Sequence, residues 1–220
     1  MRTEETTIYK FPELSARAKE RARDWYRRGN DQDNYWSESV IEDAARMADL
    51  LGINLNTRTV KLMGGGTRQE PQVYWSGFCH QGQGACFVGS YQYRKGSVRD
   101  IAKEAPAQYD GKIQESNAEL NRIARELADL QRSHFYKLTA NVSHTGRGEH
   151  EMCTTIDVYD GENDADNDTA EAVKDLLRDF MRWIYRGLEA EYEYQNSEAV
   201  VDEMIVSNDY EFDEDGNHEG

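Results

Sequence analysis

Residues 75–87 read WSGFCHQGQGACF, with three glycines, two cysteines and a histidine in thirteen positions. Four chemistries compete for such a stretch. A phosphate loop needs a strand, a glycine turn and a helix whose N-terminus faces the anion. Here the glycines lead into ACFVGSYQY, which is strand-like, and no Gly-Lys-Ser/Thr follows. Zinc would draw on Cys79, His80 and Cys86, with Cys153 and His150 in support. The C-H-x5-C spacing is not that of a zinc knuckle, and two cysteines seven apart across a hairpin need not converge. A nucleophilic cysteine wants a base within reach, but His80 is a chain neighbour of Cys79, and neighbours on a strand point to opposite faces. A glycine-rich hairpin between aromatic strands remains, with Gly82 and Gly84 serving backbone geometry. No catalytic residue, metal or cofactor is expected.

Other constellations read similarly. Asp164, Asp166 and Asp168 have the D-x-D-x-D spacing of a calcium loop, but Thr169 occupies the glycine position and Asp175 the terminal glutamate position. Glu211, Asp213, Asp215 and Gly216 begin a similar pattern without its last ligand, and a solvated acidic tail is the expectation. His134, His144 and His150 gather on one hairpin only if its strands bring them together. Trp75, Phe78, Phe87, Tyr91 and Tyr93 could stack bases, but with only Arg94 and Lys95 nearby they read as core or cross-strand pairs.

These residues depend on elements that the apolar periodicity outlines. Pro12 opens a helix with Leu14, Ala18, Ala22, Trp25 and Tyr26 on one face and Arg17, Lys19, Arg21, Arg23, Arg27 and Arg28 on the other, closed near Gly29. A second helix spans 37–51 and stops at Gly52. Alternation predicts strands at 7–11, 56–63, 72–79, 84–93, 134–144 and 150–160. Helices are predicted at 98–103, along Ile113, Leu120, Ile123, Ala124, Leu127 and Leu130, and along Val173–Tyr192 with Asp168 as N-cap and Glu171 as its capping-box partner. A short helix carries Val200, Val201, Met204 and Ile205, and the segment from Asn208 should fray unless docked. Runs of strands instead of strict alternation indicate an α+β fold, an antiparallel sheet of about five strands packed by amphipathic helices. Residues 1–206 read as one domain (helical pair 12–51, sheet and helix 56–160, C-terminal helices 168–206), and 207–220 as an acidic tail.

The 220 residues carry a net charge of −16. The charge is lopsided: residues 1–110 hold 16 Lys/Arg and 15 Asp/Glu, whereas 157–220 hold four and 21. Such a surface repels nucleic-acid backbone and attracts basic proteins. No apolar run approaches the roughly 18 residues of a membrane span. The N-terminus shows no signal-peptide pattern, and three cysteines make a poor disulfide framework, so a reducing cytoplasm is the expected location.

The stretches YWSGFCHQGQGACFVGSYQYRKG, IARELADLQRSHFYKLTANVSHTGRGEH and DFMRWIYRGLEAEYEYQNSEAVVDEMIVSNDYEFDEDG resemble a family of phage and prophage proteins commonly labelled "antitoxin of toxin–antitoxin stability system". The resemblance runs over about residues 70–216, most specifically in aromatic-Ser-Gly-Phe, Gln-Gly-x-Gly-Ala and the Tyr-Glu-Phe-Asp-Glu-Asp-Gly ending. The family pattern has an acid where this chain has Gln83, and an aromatic or serine where it has Cys79 and His80, which weighs against a metal or thiol role there. The resemblance implies a mobile-element context and transfers no catalytic residue. The expectation is a non-enzymatic, antitoxin-like or anti-defence protein. Asp160, Glu162, Asp164, Asp166, Asp168, Asp213, Glu214 and Asp215 would engage a basic partner, a toxin or a nucleic-acid-handling defence enzyme. The alternatives are nucleic-acid binding through Arg17, Arg21 and Arg28, opposed by the chance that this helix docks on the chain's own acids, and an enzyme with a site near the glycine-rich hairpin.

Overall fold

The computed structural model describes residues 7–30, 35–106 and 112–219. In chain order they form β1 (Tyr9–Lys10), a 3-10 turn (Phe11–Glu13), α1 (Ala16–Asn30), α2 (Tyr35–Leu51), β2 (Ile53–Leu55), β3 (Thr57–Lys61), β4 (Thr67–Pro71), β5 (Val73–Trp75), β6 (Ala85–Phe87) and β7 (Gly89–Gln92). There follow α3 (Ser97–Glu104), α4 (Lys112–Ser133), β8 (Leu138–His144), a 3-10 turn (Glu151–Cys153), β9 (Thr154–Asp160), β10 (Asn163–Asp164), α5 (Asn167–Gln195), α6 (Glu198–Ser207) and β11 (Glu211–Phe212). Two compact units result, Val40–Gly187 and Met1–Ser39 with Leu188–Gly220, a partition that the one-domain reading of 1–206 does not draw. Among the described residues no helix is long and apolar enough to cross a membrane.

The larger unit is the α+β body. Its sheet runs β10-β9-β8-β7-β2, antiparallel throughout. Period two decides its faces: Leu138, Ala140, Val142, Ile156 and Val158 are buried, while Thr139, Asn141, Ser143, Thr155 and Asp157 face solvent. Helical periodicity supplies the cover. Leu120, Ile123, Ala124 and Leu127 of α4 and Val173, Leu176, Leu177, Phe180 and Ile184 of α5 are buried stripes. Ile113, expected on the same stripe of α4, is instead exposed, because the chain's apolar cover begins about two turns later.

The strand pattern departs from the expectation at three places. The segment 84–93 splits into β6 and β7 at Val88, whose N–H donates to the Gln72 carbonyl. Residues 67–71 pair with 57–61 as a hairpin that no apolar alternation announces. Residues 134–137 form a turn: buried Gln131 at the end of α4 donates from Nε2 to the Leu138 carbonyl (2.7 Å) and the Tyr91 hydroxyl (3.2 Å), and accepts from the Leu138 N–H (3.2 Å). Its amide imitates a strand partner, with both its nitrogen and its oxygen bonded.

The smaller unit is built around Phe11, Leu14, Ala18, Ala22, Val201, Ile205 and Phe212, with Tyr9, Trp25, Tyr26 and Tyr210 packed against them. β1 pairs with β11. Beyond β11, Asp213 accepts from the N–H groups of Asp215 and Asn217, and His218 stacks on Trp25 with centroids 4.0 Å apart. The segment expected to fray unless docked is therefore docked, which accounts for the Tyr-Glu-Phe-Asp-Glu-Asp-Gly ending. Its rings fill the core, its first Asp closes the turn, and its glycine (Gly216, φ +84°) lies where a Cβ would stand 2.1 Å from the Ala18 carbonyl oxygen. Gly216→Ala should destabilise this unit by roughly 1–3 kcal/mol, read as a lower denaturation midpoint followed by tryptophan fluorescence.

Candidate functional site: the acidic loop and the aromatic turn beside it

The glycine-rich stretch is the loop of a hairpin. β5 and β6 pair Val73 with Phe87 and Trp75 with Ala85, and a nine-residue loop joins them. Inside it the Gln83 side-chain oxygen accepts from the N–H groups of Cys79 (2.6 Å) and His80 (2.7 Å). Gln83 thus closes the loop. Gly82 has a left-handed φ of +88°. Gly84 does not; its constraint is steric, since a Cβ there would lie 3.1 Å from the His150 Cα. Trp75 stacks on Phe78, Phe78 tilts against Tyr185, Phe87 meets Phe180 in the core, and Tyr91 is buried.

The sulfur and imidazole groups are dispersed. Cys79 is exposed, Cys153 half-buried and Cys86 buried, with burial pushing the Cys86 thiol up to about 12. His144 stacks on Tyr74 and bonds the Gly148 carbonyl, and His150 contacts Glu151, whose carboxylate also meets Arg182 (2.9 Å). His134 precedes β8 and His144 ends it, so the strand's seven residues, roughly 20 Å, separate them. Among the described residues no three His, Cys, Asp or Glu side chains come together as a metal site.

His134 joins a different group. Its Nδ1 lies 2.9 Å from Asp160 Oδ2 and its Nε2 3.2 Å from the Thr169 hydroxyl. Acid, imidazole and hydroxyl in that order imitate a hydrolytic relay. Thr169, however, is buried in the first turn of α5, with its hydroxyl bonded to Asp166, so the arrangement is a clamp. Asp166 is the true cap: its Oδ1 accepts the Thr169 N–H at 3.0 Å, and α5 begins one residue before the expected Asp168 cap. The acidic loop thus divides its labour. Asp160 and Asp166 hold it in place, while Glu162, Asp164 and Asp168 are exposed and make no ion pair among the described residues.

Beside this loop lies a feature that sequence reasoning missed. Phe135 (φ +54°) and Tyr136 (φ +63°) are both left-handed, which bulky L-residues rarely adopt. The Tyr136 N–H reaches the Gln131 carbonyl at 2.6 Å, and the Gly161 N–H reaches the Lys137 carbonyl, so turn and acidic loop are neighbours. Phe135 is 80% exposed and Tyr136 50%, with the Tyr93 ring 4.5 Å from that of Tyr136. A helix passing into a strand without a glycine (His134-Phe-Tyr-Lys137) was the signal available.

The remaining expected site residues belong to the smaller unit. Asp213 is occupied by its turn, Asp215 lies 3.8 Å from Arg21, and Glu214 is exposed. Part of the basic face of α1 is engaged by the chain itself: Arg23 with Asp202 (2.6 Å) and Glu198 (3.3 Å), and Arg27 with Asp24 (3.5 Å) and the Asn196 carbonyl. Arg28 bonds the Asp24 carbonyl, while Arg17 is exposed with no ion pair among the described residues.

Two measurements check these assignments. Asp166→Ala should lower the melting temperature more than Asp168→Ala. The N–H groups at the start of α5 hold the Asp166 carboxyl below its usual range. The cap's contribution is therefore present above the ordinary Asp value of about 4 and is lost as pH falls through the depressed one. In the native protein at mildly alkaline pH, iodoacetamide should modify Cys79 well before Cys86, which should react only on unfolding.

No curated protein and no solved structure matches the chain. Residues 36–198 match a domain of unknown function, DUF8835, which includes the acidic loop and the aromatic turn and leaves out α1 and the docked C-terminal segment. By that match over most of its length, the chain belongs to the DUF8835 family.

Proposed function

We propose that this is a non-enzymatic binding protein of phage or prophage origin, antitoxin-like or anti-defence in action, whose acidic surface engages a basic protein partner. The observation that carries the reading is the pairing of Glu162, Asp164 and Asp168, exposed and without ion-pair partners among the described residues, with the exposed rings of Phe135 and Tyr136 on the neighbouring turn. Carboxylates steer a cationic partner and set its orientation. Aromatic rings supply contact area at low entropic cost and accept guanidinium groups on their faces. The partner class is a toxin or nucleic-acid-handling enzyme with a Lys/Arg-lined groove, in which spaced carboxylates take the place of phosphates. The resemblance to phage and prophage proteins supports the context, and the charge of −16 supports the sign.

The test begins with capture of the partner from a host lysate and proceeds to binding kinetics. Glu162→Lys, Asp164→Lys and Asp168→Lys together should slow association about tenfold at low salt; Asp166 is left intact because it caps α5. Phe135→Ala with Tyr136→Ala should weaken affinity at least about tenfold, mainly by faster dissociation. Arg17→Glu with Arg28→Glu should change neither rate. Retained, salt-insensitive binding by the acid-reversed protein would overturn the proposal.

A further inference from the structure

We infer that Cys86 and Cys153 are a redox pair, which a peroxide converts to a disulfide that ties β6 to the 3-10 turn before β9. The inference is independent of the acidic surface, since it rests on a different part of the larger unit. Both residues are free thiols, Cys86 buried and Cys153 half-buried. They stand 67 positions apart in the sequence, and the fold brings them together.

Two separate lines of contact converge on the pair. Neighbours on a strand point to opposite faces, and directly paired residues share one. In β6 the Phe87 ring turns to Phe180 of α5, so Cys86 turns the other way, to the side of its partner Tyr74. The Tyr74 ring stacks on His144, with centroids 4.6 Å apart, and His144 pairs with Thr154, the residue after Cys153. The Thr145 N–H then donates to the Cys153 carbonyl at 2.9 Å. The second line runs through the turn itself. A Cβ on Gly84 would stand 3.1 Å from the His150 Cα, and β6 packs against Glu151–Cys153. The charges that act on the Cys86 thiol come from this same segment. Burial first, and then Cys153, Glu149 and Glu151, push that thiol up to about 12.

Exposure assigns the roles. Cys86 is 0% exposed, so the group that oxidises it must come from inside the fold. Cys153 is reached by a small oxidant: its Sγ rests against Gly148, where even a Cβ would stand only 2.9 Å away. The Cys153 sulfur attacks one oxygen of hydrogen peroxide. An S–O bond forms, the O–O bond breaks, and the thiol proton leaves with the other oxygen as water. The Cys86 sulfur then attacks the Cys153 sulfur. The S–S bond forms, the S–O bond breaks, and the Cys86 proton leaves with the hydroxide as a second water. Two thiols lose two electrons in all, and one peroxide becomes two waters. Because buried Cys86 keeps its proton near neutrality, the second step is the slower, and the Cys153 sulfenic acid persists long enough to be trapped. Cys79 serves neither step, being exposed in the loop that Gln83 fastens.

The experiment treats the full-length protein, reduced and folded, with hydrogen peroxide, blocks remaining thiols with N-ethylmaleimide and maps the peptides by mass spectrometry without reduction. The main product should be one intramolecular link between the peptides of Cys86 and Cys153, reversed by dithiothreitol. Cys79→Ser should form the same link. The oxidised protein should melt at least about 5 °C higher than the reduced one, since the bond closes a long loop of the unfolded chain. Cys86→Ala should stop at a Cys153 sulfenic acid, captured by dimedone, whereas Cys153→Ser should leave Cys86 as a thiol. The unsubstituted protein decides the matter even if a variant fails to fold. The inference is overturned if its Cys153 passes to sulfinic acid with Cys86 still reduced, or if the main link joins Cys79 or two molecules. It is equally overturned if the 86–153 link forms only in denaturant, or if it forms and lowers the melting temperature.

Discussion

The buried amide of Gln131 is the constraint on which the larger unit turns. Its bonds to both backbone groups of Leu138 and to the Tyr91 hydroxyl fix the end of α4 to the start of β8 and to β7. Because these bonds span only seven residues, the chain between must reverse within four, and two of those four become left-handed. His134 is thereby aimed at Asp160 and Thr169, which in turn seats the N-terminus of α5 and the acidic loop before it. Removing one partner of such a buried set leaves others unmet, a cost of about 1–3 kcal/mol for each orphaned group.

In the smaller unit, pairing decides which charges remain available. α1 has a basic face, and Arg21, Arg23 and Arg27 all find partners on residues after 195. Exposed pairs of this kind stabilise little individually. Their main consequence is to occupy cations and carboxylates together, so that the acids left without a pair carry the surplus negative charge. The Arg23 guanidinium is the best placed of them, 12% exposed and facing three carboxylates, those of Glu20, Glu198 and Asp202.

How much could be read in advance follows from how strongly local pattern and tertiary demand agree. The stripe of α5 and the alternation of β8 and β9 are legible because burial on one face forces a period on the sequence. The fold class follows from their order. The β3–β4 ribbon was half hidden, since a segment exposed on both faces has no reason to alternate and Thr67–Pro71 carries no apolar signal. The cap of α5 was misplaced by two residues because the loop offers three aspartates at spacing two, and only the geometry of Thr169 selects Asp166. At the glycine-rich stretch the hairpin was legible, but the constraint at Gly84 was not: contact with His150 comes from a residue 66 positions away. The turn at Phe135 and Tyr136 was invisible because its conformation is imposed by Gln131 against local preference.

That last conflict has an evolutionary side. A left-handed conformation costs an L-residue roughly 1–2 kcal/mol relative to its preferred regions, and glycine would be free of that cost. Selection for stability alone would therefore favour glycine at 135 and 136, as it does after most helices. Two aromatic residues, largely in water, occupy those positions instead. On the proposed function, lineages that lost the use of this surface would be expected to drift toward glycine or asparagine there and to gain thermal stability as they did so, which would make the two positions a sequence-readable record of that use.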